Sequence, residues 1–414
     1  MAHPRPSDTP GPAAALSLSV AIPVRDRCDE LDECLTALGR DLPVVVVDDG
    51  SADGEAVEVV ARRHGARVLT RPRSGGPGAA RNDALQAADT DVVAFVDSDC
   101  LVRPRDLATL LPYFDDPAIG AVAPRVRPRH GDGTSGRPEG TPSLLERFGA
   151  ARSSLDMGAD EGPVGPDRAV RYVPAAALLV RRRACGSGFD ARLRVGEDVD
   201  FVWRLADRGW DVRYVPSVVV HHREPRRWRA LLARRARYGT SAGPLARRHG
   251  SRLAPADVHA APAVVLASAA RGRIGWGLAT WTATGALALR RLAGTPVPPA
   301  TVLRWQVAAP WWTLLGLARG ASTVVLPGLP LVMLVRRGRR LPAALLLLGL
   351  PALVEWWQRR PDVDPARWTA ACLADDLAYG MGVWAGCIRA RTLRPLLPVV
   401  RLPAPARWRP RHAG

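Results

Sequence analysis

The stretch Val44-Val45-Val46-Val47-Asp48-Asp49-Gly50-Ser51 and the stretch Val92-Val93-Ala94-Phe95-Val96-Asp97-Ser98-Asp99 share one construction: an apolar run that stops abruptly at two acids. Each run is too short for a helix and uniformly apolar, as a strand covered on both faces must be. Around them, β-branched runs at 17–24, 43–47, 67–70 and 92–96 alternate with helical spacing at 29–38, 54–64 and 78–88. Alternation with such short connections predicts an α/β fold: a doubly wound, mostly parallel sheet with helices on both faces. Sheets of this kind bind ligands beyond the carboxyl ends of their strands, and the acids fall there.

Outward from this core the texture changes twice. Residues 128–170 are rich in Gly, Pro, Asp and Arg and predict a long functional loop. Regular structure is expected again at 172–181, as a helix at 198–208 and as a strand at 211–220. After residue 250, apolar stretches at 274–289, 305–318, 321–335 and 341–354 are separated by Arg clusters and prolines, and Pro327, Pro330 and Pro351 are expected to kink them. None reaches the ~18–20 uninterrupted apolar residues of a spanning helix. Trp and Arg at their edges are what anchoring at a membrane interface requires. Short packed membrane helices, interfacial helices and an ordinary helical domain all satisfy this pattern. The expected organisation is a flexible leader at 1–14, an α/β domain at 15–250 and a helical, membrane-associated region at 251–414.

The 414 residues are 47% hydrophobic and carry a formal net charge of +18, with arginine as the sole strong base. Such charge fits nucleic acid, phosphate-bearing small molecules or an anionic membrane. Most arginines follow residue 180, among apolar segments, and no nucleic-acid-binding signature is present, so an anionic membrane surface is the expected partner and nucleic acid is not. Six cysteines without a CxxC pair read as reduced, packed thiols. Together these features place the chain on the cytoplasmic face of a cell membrane.

Asp97 and Asp99 present two hard oxygen donors at one strand end. Mg²⁺ or Mn²⁺ bridging to a diphosphate suits them, because substrate phosphates complete the shell. An isolated Asp-x-Asp is also an ordinary solvated turn, and Asp48-Asp49-Gly50-Ser51 is also a polar turn with a helix cap. Between the two strands, the glycines of Ser74-Gly75-Gly76-Pro77-Gly78 allow close backbone approach, and Arg81 follows on a helix. At 196–205, Gly-Glu-Asp-Val-Asp-Phe-Val-Trp-Arg-Leu opens a helix with acids in its first turn. Capping and the helix dipole favour acids there, and a carboxylate such as Asp198 can equally take a proton from a hydroxyl.

In this order, DDGS at 48–51, GGPGAARNDAL at 75–85, FVDSD at 95–99 and GEDVDFVWRLADRGW at 196–210 resemble the family 2 glycosyltransferases of the GT-A fold, over roughly residues 17–240. The resemblance implies a UDP-sugar donor with uracil-side contacts from Asp48 or Asp49. It puts Asp97 at the ribose and, with Asp99, at the metal and diphosphate. Pro23, Arg81 and Glu197 fall along the nucleotide-sugar, and Asp198 falls on the base of an inverting transfer. Related enzymes place a histidine near the metal. Of His221 and His222, which alternate across a strand, His222 is assigned that role. Glu224-Pro225-Arg226-Arg227-Trp228 has the spacing of the processive Gln-x-x-Arg-Trp motif with Glu for Gln, which implies an acceptor platform at Trp228; an Arg-rich helix start reads the same residues. Residues 234–250 resemble the actinobacterial subgroup that serves mycofactocin biosynthesis. That subgroup implies transfer of a hexose, glucose, to the peptide-derived cofactor premycofactocin, in one or several additions. Transfer to polyprenyl phosphate or a cell-wall glycan is the rival within the family, and a non-catalytic nucleotide-sugar binder the rival outside it.

Overall fold

The computed structural model describes residues 16–129, 142–328 and 341–401. The 1–14 leader, residues 130–141 of the expected loop and Pro330 lie outside the described residues. The chain divides into two compact units. Residues 16–129 with 152–224 form the first, and residues 142–151 with 225–328 and 341–401 the second. The division in sequence falls between Glu224 and Pro225, where the change of texture suggests 250.

The first unit runs β1 (Leu18–Val24), α1 (Cys28–Leu38), β2 (Val44–Asp48), α2 (Gly54–Arg63), β3 (Arg67–Thr70), α3 (Pro77–Ala87), β4 (Val92–Val96), β5 (Cys100–Leu101), α4 (Pro104–Leu110) and β6 (Ile119–Arg129). After α5 (Leu144–Ala151), which belongs to the second unit, come β7 (Gly162–Pro163), β8 (Ala177–Arg181), α6 (Glu197–Asp207) and β9 (Asp211–Arg223). The sheet order is β3-β2-β1-β4-β8-β6-β9-β5, with β7 on β9. β3, β2, β1 and β4 are parallel, as is β6 with β9; β8 lies antiparallel between β4 and β6. The doubly wound, mostly parallel sheet is the architecture expected.

Chain direction explains the binding crevice. β1, β2 and β3 step one way across the sheet and β4 steps back past β1, so right-handed crossovers put α1 and α2 on one face and α3 on the other. The reversal between β1 and β4 is a topological switch point. β1 pairs with β4 only from Leu18 to Ala21 but with β2 up to Val24, so the two strands part near Pro23. A residue without an amide hydrogen fits at that parting. Below the opening, Val20, Ile22, Leu31, Leu35, Val46 and Val96 are wholly buried and fix the strand ends.

Two elements depart from expectation. β6 is a long strand containing Pro124 and Pro128, which disguise it; its register shifts at Pro124/Arg125, beyond the pairing with β8. The described end of the 128–170 loop contains α5, an amphipathic helix that buries Leu145 and Phe148.

The second unit continues with α7 (Trp228–Gly239), α8 (Ala242–His249), β10 (Asp257–His259), α9 (Ala260–Ala270), α10 (Ile274–Leu292), α11 (Pro299–Val324), α12 (Leu341–Arg359), α13 (Pro365–Ala390) and β11 (Val399–Arg401). α13 is its axis, packing against α7, α8, α11 and α12. Pro310 and Pro351 lie inside α11 and α12. Among the described residues, no helix is long and apolar enough to cross a membrane. All six cysteines are free thiols, and only Cys28 is not buried.

Candidate active site

Three element ends in the first unit carry the predicted acids: the ends of β2 and β4 and the start of α6. At the end of β2, Asp48 Oδ1 accepts from the Ser51 amide at 2.9 Å and from Ser51 Oγ at 2.6 Å. Its Oδ2 is buried without a hydrogen-bond partner, against Gly54, where a Cβ would stand 3.0 Å away. Asp49 Oδ1 accepts from the Gly75 amide at 2.7 Å, while Oδ2 accepts from the Gly76 amide at 2.8 Å and Ser74 Oγ at 2.6 Å. The glycine-rich turn is therefore folded onto Asp49. Gly50 (φ +72) passes under it so closely that a Cβ would meet the Ser74 amide nitrogen at 2.9 Å. Arg194 ties the same turn from above, donating to Ser74 O at 3.0 Å. Asp26, left-handed at φ +53, accepts from the Ala52 amide at 2.7 Å and joins the loops after β1 and β2.

On α3, Arg81 is the buried centre of an acidic cluster. It donates to Glu197 Oε1 at 2.7 Å and to Asp97 Oδ1 at 2.6 Å, with its guanidinium 5.4 Å from the Phe189 ring centroid. Burial works against the charge of Arg81, but Asp97 and Glu197 hold it protonated, above the ordinary arginine value. Phe189 is fixed in turn: it stacks on Phe201 at 4.2 Å and meets Phe95 edge-on at 5.1 Å. The Asn82 side chain exchanges two 2.8 Å hydrogen bonds with the Phe189 backbone. The sequence reading gives Phe189, Asn82 and Arg194 no role; the turn Gly186-Ser187-Gly188 is the signal that precedes Phe189 and Arg194.

α6 starts at Gly196, which is left-handed at φ +78, and sets Glu197 and Asp198 at the positive end of the helix dipole. Burial, then the neighbouring Asp198 charge, push the Glu197 carboxyl up to about 7 against the pull of Arg81. Burial also raises Asp198, restrained by Arg81 and by the amides of Val199 and Ala175, which donate to it at 2.8 and 3.4 Å. Asp198 thus caps its own helix turn and is also a carboxylate of enhanced basicity.

Asp99 sits apart from that cluster. His222 Nε2 lies 3.4 Å from Asp99 Oδ1, and the Arg27 guanidinium pairs with Asp99 Oδ2. Burial pushes the Asp99 carboxyl up, but His222 and Arg27 together hold it well below the usual carboxylate range. The Cys100–His222 pairing of β5 with β9 positions both groups; His222 is buried and His221 is exposed, as strand alternation requires. A divalent cation on a diphosphate needs one or two protein donors, and Asp99 Oδ1 with His222 would be that pair, Asp99 Oδ2 being held by Arg27. Asp97, assigned to the same metal, has its Oδ1 on Arg81 instead. Among the described residues no three His, Cys, Asp or Glu side chains gather into a metal-sized cluster. Trp228 is seated in the second unit, its ring 5.4 Å from Phe148, whose other neighbour is Trp368 at 5.3 Å.

A buried carboxyl of raised basicity, a buried arginine and an Asp–His pair thus stand at strand and helix ends of the first unit. Residues 19–172 match the model of glycosyl transferase family 2. Over 426 residues the chain is 37% identical to a pre-mycofactocin glycosyltransferase of Mycobacterium tuberculosis, covering 97% of this chain and 85% of that one. It is 30% identical over 221 residues to an N-acetylglucosaminyl-diphospho-decaprenol L-rhamnosyltransferase of the same species, covering 45% of this chain and 68% of that one. Among solved structures, a mannosyltransferase from Pyrobaculum calidifontis in complex with GDP-Man and Mn²⁺ superposes with a TM-score of 0.43 at 22% identity, covering 75% of this chain and 87% of that one. Identity of this order along nearly the whole chain establishes that the protein belongs to the family 2 glycosyltransferases.

Proposed function

We propose that the chain is an inverting hexosyltransferase that moves glucose from UDP-glucose to a hydroxyl of pre-mycofactocin, with Asp198 as the base. The observation that carries the acceptor is the reach of the similarity: the pre-mycofactocin transferase aligns along both units, whereas the decaprenol-linked rhamnosyltransferase aligns with less than half of the chain. The chemistry rests on Asp198, a carboxylate of raised basicity at a helix N-terminus, which takes the acceptor proton as the new bond forms. Mg²⁺ or Mn²⁺ bound by Asp99 and His222 would supply charge neutralisation for the departing nucleotide diphosphate. Arg81 offsets part of the repulsion among Asp97, Glu197 and Asp198 and ties the first two together by ion pairs. The Ser74–Gly76 turn is held by Asp49 and Arg194, and its glycines let Arg71, Ala79 and Arg194 pack close against its backbone.

The test is mass spectrometry of pre-mycofactocin incubated with the protein, UDP-glucose and Mn²⁺. The expected product carries one or more added hexoses. Labelling of polyprenyl phosphate instead would move the chain to the rival acceptor, and donor binding without any transfer or hydrolysis would make it a binding protein.

A further inference from the structure

The helical unit is built with its small residues inside and its large apolar ones outside. α7 and α8 meet α13 through Gly239 and Gly243 against Gly382 and Gly386, so closely that a Cβ on Gly243 would overlap the Gly386 carbonyl and one on Gly382 the Ala236 carbonyl. Polar groups are paired in the interior: Arg235 Nε lies 2.7 Å from Asp375 Oδ1, and Ser322 Oγ donates to Asp376 Oδ2 at 2.7 Å. Glycine-lined crossings and interior polar pairs are how helices associate when lipid solvates their outer faces. Meanwhile α9 has no buried residue and α10 buries only Gly277 and Gly285. Ile274 and Trp276 are each 73% exposed, and Leu278, Trp305, Val307 and Trp312 are also exposed. Exposed large apolar residues on neighbouring helices mark an interaction surface.

Charge identifies the cover. Residues 225–414 hold 29 arginines against six acids, while residues 1–224 hold 29 against 34. Arg271 and Arg273 precede α10 and Arg290 and Arg291 end it, all exposed. A second copy of so basic a unit would be repelled, whereas an anionic bilayer is attracted. The uncharged stretch 305–318 of α11, between Arg304 and Arg319, rises only about 21 Å at ~1.5 Å per residue, short of a bilayer's ~30 Å core. It is therefore too short to cross one. We infer that the helical unit docks into an anionic membrane surface, with the Trp-rich faces of α10 and α11 in the acyl boundary and the terminal arginines of α10 on lipid phosphates.

The test reads binding, not turnover, so it stands apart from the proposed function. The full chain is sedimented with vesicles of phosphatidylcholine alone or with added phosphatidylglycerol, and the same samples are examined by analytical ultracentrifugation without lipid. Binding only to the anionic vesicles, with tryptophan fluorescence quenched by brominated acyl chains, is expected. Replacing Trp276, Trp305 and Trp312 by Ser lowers partitioning at least about tenfold. Replacing Arg271, Arg273, Arg290 and Arg291 by Gln lowers it on the order of a hundredfold at low salt. Circular dichroism identical to the parent shows that both variants are folded. Unchanged binding by the tryptophan variant, or a stable lipid-free dimer that leaves vesicles unbound, overturns the inference.

Discussion

The two units solve opposite problems with opposite surfaces. In the sheet unit the apolar side chains are inside, and Val59 is its only exposed large hydrophobic among the described residues. Its acids converge at strand ends, where Arg81 and Arg27 each hold more than one charge in balance. In the helical unit large apolar residues point outward and glycines hold the helices together. Specificity in the first comes from a buried polar cluster, and in the second from close backbone contact. The difference teaches that burial of polar groups marks chemistry in one unit, while exposure of apolar groups marks solvent choice in the other.

The contrast can be broken by substitution, and the largest effect is expected at the base. Asp198→Asn should lower kcat by about 10²–10⁴-fold while calorimetry shows donor binding retained; near-normal turnover would remove Asp198 from its role. Next, Arg81→Met strips a buried cation from two carboxylates and should cost about 3–5 kcal/mol in denaturant unfolding. A loss below 1 kcal/mol would mean that the cluster does not hold the sheet unit together. In the helical unit, Gly386→Ala forces a methyl against the Thr240 carbonyl and should cost about 1–3 kcal/mol, whereas Trp276→Ser should change stability by less than about 0.5 kcal/mol. Equal effects of these two would erase the contrast.

Protonation sharpens the first half of it. With Asp198 raised and Glu197 at about 7, activity should fall on acidification above the ordinary carboxylate range, and Glu197→Gln should shift that limb downward. For stability the sign is reversed. A carboxyl whose value is raised by folding favours the fold while neutral, so the Glu197 contribution is present below 4.5 and lost as pH rises through about 7. Glu197→Gln should accordingly gain stability relative to the parent between those limits in pH-dependent thermal melts.

Much of the sheet unit is legible in the sequence because apolar runs and acids alternate at fixed spacing. β3 and β4 fall where the β-branched runs lie, and the acids at 97, 99 and 198 stand where strand and helix ends put them. What pattern does not carry is the pairing. That Asp49 is spent on the amides of Gly75 and Gly76, that Asp97 turns to Arg81, and that Arg27 faces Asp99 are tertiary facts joining residues up to 72 positions apart. β6 hides behind its prolines, and α5 within a loop of mixed composition.

The most direct test of the account is the anomeric configuration of the product. Proton NMR of the first sugar transferred from the α-linked donor UDP-glucose should show a β-linkage, as attack by a hydroxyl deprotonated at Asp198 requires. An α-linked product would contradict the single displacement and the role given to Asp198.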